Sequence, residues 1–179
     1  MRTLLEDLHV ASGGGIAKSI YTWFFDVNFK AVKLYRYSHW LNDKFGFKII
    51  PRLLNIRSRR RYGIDIDFGA EIGPGFHIVH GNGVVIGRWV HAGRNLTIYQ
   101  GCTLGGNSGK SITYNGITIV QPYIGNNVKL FTSCIVIGPI VIGDDVEVGA
   151  GTIITHDVEN NCVVYSKQKI HIIKKENSM

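Results

Sequence analysis

Ile66-Asp67-Phe68-Gly69-Ala70-Glu71-Ile72-Gly73-Pro74-Gly75-Phe76-His77-Ile78 is the stretch that decides how this chain is read. It sets an isoleucine at 66, 72 and 78, and the six-residue step runs on through Val84, Val90, Leu96 and Cys102. A second run keeps the same step through Ile124, Leu130, Val136, Ile142, Val148 and Ile154. Position 102 is a multiple of six and 124 leaves a remainder of four, so the register breaks between them. The intervening Gly105-Gly106-Asn107-Ser108-Gly109-Lys110 and Tyr114-Asn115-Gly116 have the composition of an exposed loop.

A helix repeats every ~3.6 residues and a strand every ~2, so neither accounts for an apolar residue at every sixth place. A solenoid does. Each hexapeptide makes one short flat side, three sides close a triangular coil of about eighteen residues, and residues 64–165 supply about four to six coils. Ordinary alternating strands of a sandwich are the weaker reading, because thirteen matched positions are hard to reach by chance. Residues 105–117 are expected to protrude.

Composition changes at the edges of this stretch. Eighteen of the 22 glycines fall between 62 and 165. The net charge of +7 comes from the ends: residues 1–61 carry twelve Lys/Arg against four Asp/Glu, whereas residues 62–165 carry four against eight. The organisation read from this is a helical N-terminal region (1–61), a solenoid domain (62–165) and a basic C-terminal tail (166–179). After Gly13-Gly14-Gly15, residues 16–45 hold neither proline nor glycine, and bulky side chains recur at helical spacing: Ile20, Trp23, Phe24, Val27, Ala31, Leu34, Tyr35. Pro51 marks the opening of a short helix over 52–59.

Arg57-Ser58-Arg59-Arg60-Arg61 reads either as a solvated charged face or as an attraction toward anionic partners, a peripheral membrane surface among them. Nucleic acid is disfavoured, since no base-stacking aromatics join the cluster on one face. The apolar run Tyr21–Phe25 stops at Asp26, far short of the ~20 residues that span a bilayer. Three widely spaced cysteines, Cys102, Cys134 and Cys162, fit neither a disulfide framework nor a zinc site. The expected setting is the reducing cytoplasm, with the inner face of the membrane as a variant of it.

The repeat resembles the left-handed parallel β-helix of hexapeptide-repeat acyltransferases. Within that group, Asp65–Gly75, His80-Gly81-Asn82-Gly83-Val84-Val85-Ile86-Gly87 and Gln100-Gly101-Cys102-Thr103-Leu104-Gly105-Gly106 resemble serine acetyltransferases in the same order. Leu34-Tyr35-Arg36-Tyr37-Ser38-His39-Trp40-Leu41 resembles the last helix before their β-helix. The likeness covers roughly residues 30–165.

The resemblance implies a mainly β solenoid with a helical N-terminal region, acetyl-CoA as acetyl donor, no metal, and a homotrimer or a multiple of one. It implies His80 as catalytic base and Asp65 as the carboxylate that orients it. An acceptor hydroxyl is a poor nucleophile at neutral pH, so an imidazole must take its proton during attack on the thioester carbonyl. The family's coenzyme lies in a groove between neighbouring subunits. The matching positions here are Gly105, Gly106, Thr132, Ser133, Ala150 and Gly151, with Lys167 and Lys169 near the nucleotide phosphates; a purely architectural role for the small residues and a solvated tail for the lysines stay open.

Two departures bear on the acceptor. Where the family places Arg-His before a proline to receive the amino acid's carboxylate, this chain has Val120-Gln121 before Pro122. Where the family has an aspartate before its catalytic histidine, this chain has Val79. Gln121, with Lys110 from the loop between Gly106 and Pro122, which is longer than the resemblance leads one to expect, is the candidate acceptor-binding pair. A zwitterion needs charged partners, so these departures lead to an expected O-acetyltransferase acting on a sugar hydroxyl in polysaccharide biosynthesis. Serine O-acetylation in cysteine biosynthesis is the alternative; a non-catalytic solenoid scaffold is a third, separable by acetyl-CoA turnover.

Overall fold

The structure is a computed structural model that describes residues 2–167. Four helices come first: α1 (Arg2–Ser12), α2 (Ile16–Phe25), α3 (Val27–Phe45) and α4 (Ile49–Tyr62). Asp26 divides the helical run expected over 16–45. Its side chain accepts the backbone N–H of Phe29 at 2.8 Å, and this N-cap starts a new helix without glycine or proline. The helix expected over 52–59 is longer. Pro51 sits in its first turn, where a missing N–H costs no intrahelical bond, so α4 starts ahead of it. Both α3 and α4 end on a left-handed glycine, Gly46 and Gly63.

Short strands follow, numbered along the chain. The first sheet pairs β1 (Asp65–Ile66), β4 (Val85–Ile86), β7 (Thr103–Gly105), β12 (Ile135–Ile137) and β15 (Ile153–Ile154). The second pairs β2 (Glu71–Ile72), β5 (His91–Ala92), β10 (Tyr123–Ile124) and β13 (Val141–Ile142). The third pairs β3 (His77–Ile78), β6 (Thr97–Ile98), β11 (Lys129–Leu130), β14 (Glu147–Val148) and β16 (Val163–Val164). All these pairings are parallel, and the chain visits the sheets in turn. Three parallel sheets preceded by a helical region are therefore the architecture.

The register corrects the simple count. Val85 pairs with Thr103, eighteen residues on, but Asp65 pairs with Val85, twenty residues on. The two extra residues lie in the corner between β3 and β4, the corner that carries His80. The six-residue step passes through this insertion unbroken because each side of the coil buries two layers. Ile66, Ile72 and Ile78 point inward from strands, as do Ile86, Ala92, Ile98 and Leu104 further on; Val84, Val90, Leu96 and Cys102 fill the layer two residues earlier. Both layers are buried, so a shift of two exchanges one apolar series for another.

The break between 102 and 124 holds a protruding antiparallel hairpin, β8 (Ile112–Tyr114) with β9 (Ile117–Ile119). Asn115 and Gly116 at its tip both have positive φ, 47° and 78°, as a tight two-residue hairpin turn requires. Its loop composition is legible in the sequence, whereas short strands Ile112–Tyr114 and Ile117–Ile119 carry no periodic mark that would announce the hairpin.

The first coil is capped by α3. Phe29, Val32 and Tyr35 belong to the same buried cluster as Ile64, Ala70 and Phe76. Tyr35 donates its hydroxyl to Ala70 O at 2.8 Å, and burial pushes that hydroxyl up to about 12. Arg36 donates to Ile72 O and Gly73 O and pairs with Asp7 at 2.8 Å; the Arg36 side chain is 9% exposed and that of Asp7 0%. Asp7 also accepts the N–H of Phe76, so α1, α3 and the coil meet at one satisfied buried ion pair.

Candidate active site

Two corners flank the first sheet. The entering corner, between the third sheet and the first, carries His80. Val79 N donates to Ile98 O, Tyr99 N to Leu130 O and Phe131 N to Val148 O, so His80, Gln100, Thr132 and Ala150 occupy equivalent places in successive coils. Ser133 and Gly151 follow in the same column, tied by Ser133 N to Gln100 O and Gly151 N to Thr132 O. The departing corner, between the first sheet and the second, carries Trp89, Gly106, the hairpin loop and Val120-Gln121-Pro122.

His80 is exposed, its ring edge-on to Tyr99 at 6.4 Å between centroids. Tyr99 in turn lies 5.2 Å from Phe131, so an aromatic ledge runs beneath the imidazole. Asn28 of α3 holds the peptide groups on either side: its Nδ2 donates to Val79 O at 2.9 Å, and Gly81 N donates to its Oδ1 at 3.0 Å. A Cβ at Gly81 would run into the side chains of Ile64 and Asn28, so a larger residue there would displace the Asn28 carboxamide. Neighbouring His77 is half-buried, and burial lowers its pKa against an opposing pull from Asp26.

Asp65 is not joined to His80 by any hydrogen bond among the described residues. Its carboxylate accepts from Asn55 Nδ2 at 3.1 Å and from Arg59 at 3.2 Å, both on α4. The coil there takes twenty residues, which sets His80 five places before the coil mate of Asp65 rather than three. Arg59 thus has a partner, and Arg57, Arg60 and Arg61 lie exposed on α4.

The six small residues with which the resemblance marks the coenzyme groove fall on both edges of the first sheet. Thr132, Ser133, Ala150 and Gly151 stand at the His80 corner, and Gly105 and Gly106 at the other. Lys110 and Gln121 share a cleft of about 690 Å³ with Trp89 and Gly106 at that departing corner. Gln121 Oε1 accepts the N–H of Trp89 at 3.0 Å, so this side chain braces the turn below it. Lys167 is the last described residue; Lys169 and most of the basic tail, 168–179, lie outside the described residues. No helix among the described residues is long and apolar enough to cross a membrane.

Two features of the site escaped the sequence reading. Asn28 lies 51 and 53 positions from the groups it binds, with no motif to point to it. Gln100, in the His80 column, keeps a buried Oε1 without a hydrogen-bond partner among the described residues.

Residues 121–156 match the family described as Bacterial transferase hexapeptide (six repeats). The chain is 40% identical over 139 residues to a serine acetyltransferase of Synechococcus elongatus, covering 76% of this chain and 53% of that one. It is 41% identical over 140 residues to a serine acetyltransferase of Helicobacter pylori, covering 78% of each. Among solved structures, serine acetyltransferase isoform 3 of Entamoeba histolytica, in complex with cysteine, superposes with a TM-score of 0.82 at 29% identity over 98% of this chain and 61% of that one. The chain thus spans about half the length of the Synechococcus relative.

These relatives overturn the expectation of a sugar hydroxyl in polysaccharide biosynthesis, since proteins about 40% identical to the chain carry the name serine acetyltransferase. The physical ground for that expectation was the loss of a cation at Val120-Gln121. The structure gives Gln121 to the backbone of Trp89 and sets Lys110 in the same cleft, so the substitution does not strip that corner of positive charge. A relative 41% identical over 78% of the chain, together with the hexapeptide family match, leads to one assignment: the chain belongs to the serine acetyltransferase-like family of hexapeptide-repeat acyltransferases.

Proposed function

We propose that the protein is an acetyl-CoA-dependent O-acetyltransferase whose acceptor is L-serine. The observation that carries this reading is the 41% identity to a serine acetyltransferase that the chain matches over 78% of its length. The exposed His80 at an irregular corner supports it. His80 takes the proton of the serine hydroxyl as the oxygen attacks the thioester carbonyl. As the carbon–sulfur bond breaks, the imidazolium returns that proton to the departing thiolate sulfur, and coenzyme A leaves as the thiol. We assign Asp65 to the latch with Asn55 and Arg59 that ties α4 to β1, because its carboxylate is already bound there.

Thr132, Ser133, Ala150 and Gly151 form one wall of the coenzyme groove, and Gly105 and Gly106 the other. They lie on opposite edges of one sheet, so a groove that uses both walls draws one from each of two neighbouring copies. A homotrimer meets that need, and Lys110 and Gln121 of one copy then stand near His80 of the next, with Lys110 as the cation for the acceptor's carboxylate. The coil is read as a left-handed parallel β-helix, as the family resemblance implies. Three free thiols, two of them buried, suit a reducing cytoplasm.

The test is release of coenzyme A thiol from acetyl-CoA with L-serine as acceptor. Serine-dependent release that Lys110→Ala weakens mainly through KM for serine is the expected result. Turnover of acetyl-CoA without dependence on serine removes the acceptor assignment, and no turnover with any hydroxyl acceptor favours a scaffold.

A further inference from the structure

We propose that Asn28 is the positioning residue for the His80 imidazole, a proposal that rests on His80 being the base. The corner that carries His80 is the one lengthened by two residues, and the start of α3 packs against it. At its tip no neighbouring strand is in place to take up the peptide groups. One side chain does so instead. Nδ2 of Asn28 donates to the carbonyl of the peptide before His80, and Oδ1 accepts the N–H of the peptide after it.

These two peptide planes define φ and ψ of His80, so holding both fixes the direction of its Cα–Cβ bond. A carboxamide suits the task because it offers a donor and an acceptor at a fixed separation and carries no charge. Asn28 is itself held. The Asp26 cap sets the start of α3, and Tyr35, Arg36 and His39 tie the same helix to residues 68–73 of the first coil. The position of the imidazole therefore depends on the helical region, although the imidazole belongs to the coil. Displacement of a catalytic group by about 1 Å lowers a rate by about a hundredfold, which is the scale on which this clamp acts.

The experiment uses the full chain with Asn28→Ala and Asn28→Asp. Steady-state transfer from acetyl-CoA to serine is measured beside hydrogen exchange of the Gly81 amide. In Asn28→Ala, kcat is expected to fall about 10–100-fold while KM for acetyl-CoA stays within about threefold, and the Gly81 amide exchanges at least about tenfold faster. Asn28→Asp keeps the acceptor for Gly81 N but turns a carboxylate toward Val79 O, so it preserves Gly81 protection and loses kcat. Wild-type kcat in a folded Asn28→Ala, or unchanged exchange at Gly81, overturns the proposal. If Asn28→Ala fails to fold, Asn28→Asp decides: reduced melting temperature with full kcat overturns it. A wild-type protein inert toward serine whose Gly81 exchange still depends on Asn28 brings down the acceptor reading and leaves the clamp standing. An active protein indifferent to His80→Ala brings down the clamp's catalytic meaning.

Discussion

The coil and the helical region are equally rich in bulky apolar side chains, yet they spend them differently. In the coil, strand residues such as Ile98, Leu104, Leu130 and Val136 are fully buried, each closed in by its equivalents one coil before and one coil after. In α2, Ile16 is 83% exposed, and Ile20, Phe24 and Phe25 are each more than half exposed. A position in a repeat inherits its surroundings from the repeat. A helix has only its own stripe, and whether that stripe is covered depends on what else the chain lays against it. The capping helix α3 is the middle case: Phe29, Val32 and Tyr35 face the coil and are buried, while Tyr37 and Trp40 on its other side stay about half exposed.

This contrast can be broken or sharpened by measurement. The largest effect is expected at the residue proposed as the base. His80→Ala is expected to lower transfer by about 10²–10⁴-fold, with coenzyme A affinity and the melting temperature nearly unchanged, because an exposed ring that moves a proton holds nothing together. Activity near the wild-type level removes His80 from the mechanism.

Next is the joint between the two regions. Asp7→Ala leaves the guanidinium of Arg36 buried without its partner and strips an acceptor from Phe76 N, at a cost of about 3–5 kcal/mol in urea unfolding. A loss confined to α1, with the coil unfolding at its original midpoint, would mean that the two regions are not one cooperative unit.

Leu104→Ala follows, at about 2–5 kcal/mol for a core leucine with no room to collapse. The matched substitution outside the coil, Ile20→Ser in α2, should change stability by less than about 0.5 kcal/mol. Similar losses at both sites would show that α2 is covered in solution, most simply by a second copy of the chain.

The smallest effect concerns acid. Burial holds His77 below its ordinary value of 6.5, so the folded protein keeps it neutral where the unfolded chain would protonate it. Its contribution is therefore complete above pH 6.5 and is lost as the pH falls below that value toward the lowered one. Urea midpoints at pH 8 and pH 5.5 should differ less in His77→Gln than in the wild type; an equal difference assigns the acid sensitivity elsewhere.

The periodic part of the molecule was legible because burial in a repeat is a local code. Ile66 to Ile78 and Ile124 to Ile154 announce three flat sides per coil, and the change of phase between 102 and 124 locates the protruding loop. The break at Asp26 was less visible, since a cap residue inside a continuous apolar pattern carries no periodic mark. The place of Gln121 before Pro122 points to the acceptor site, and its bond to Trp89 N cannot be anticipated from a position in a motif.

By itself the sequence determined the six-residue periodicity, the buried series it implies and the site of the loop. Tertiary structure alone decided the geometry of the corner that carries His80. A two-residue insertion left the apolar series intact, because the strand layer and the turn layer are both buried and lie two residues apart. The ladder therefore had to form before the twenty-residue coil could be distinguished from the eighteen-residue ones. The groups that hold the peptides beside His80 and the carboxylate of Asp65 were hidden for a related reason. Asn28 and Asn55 act through contacts made when helices dock on the first coil, and a single polar residue docking at long range leaves no spacing to read.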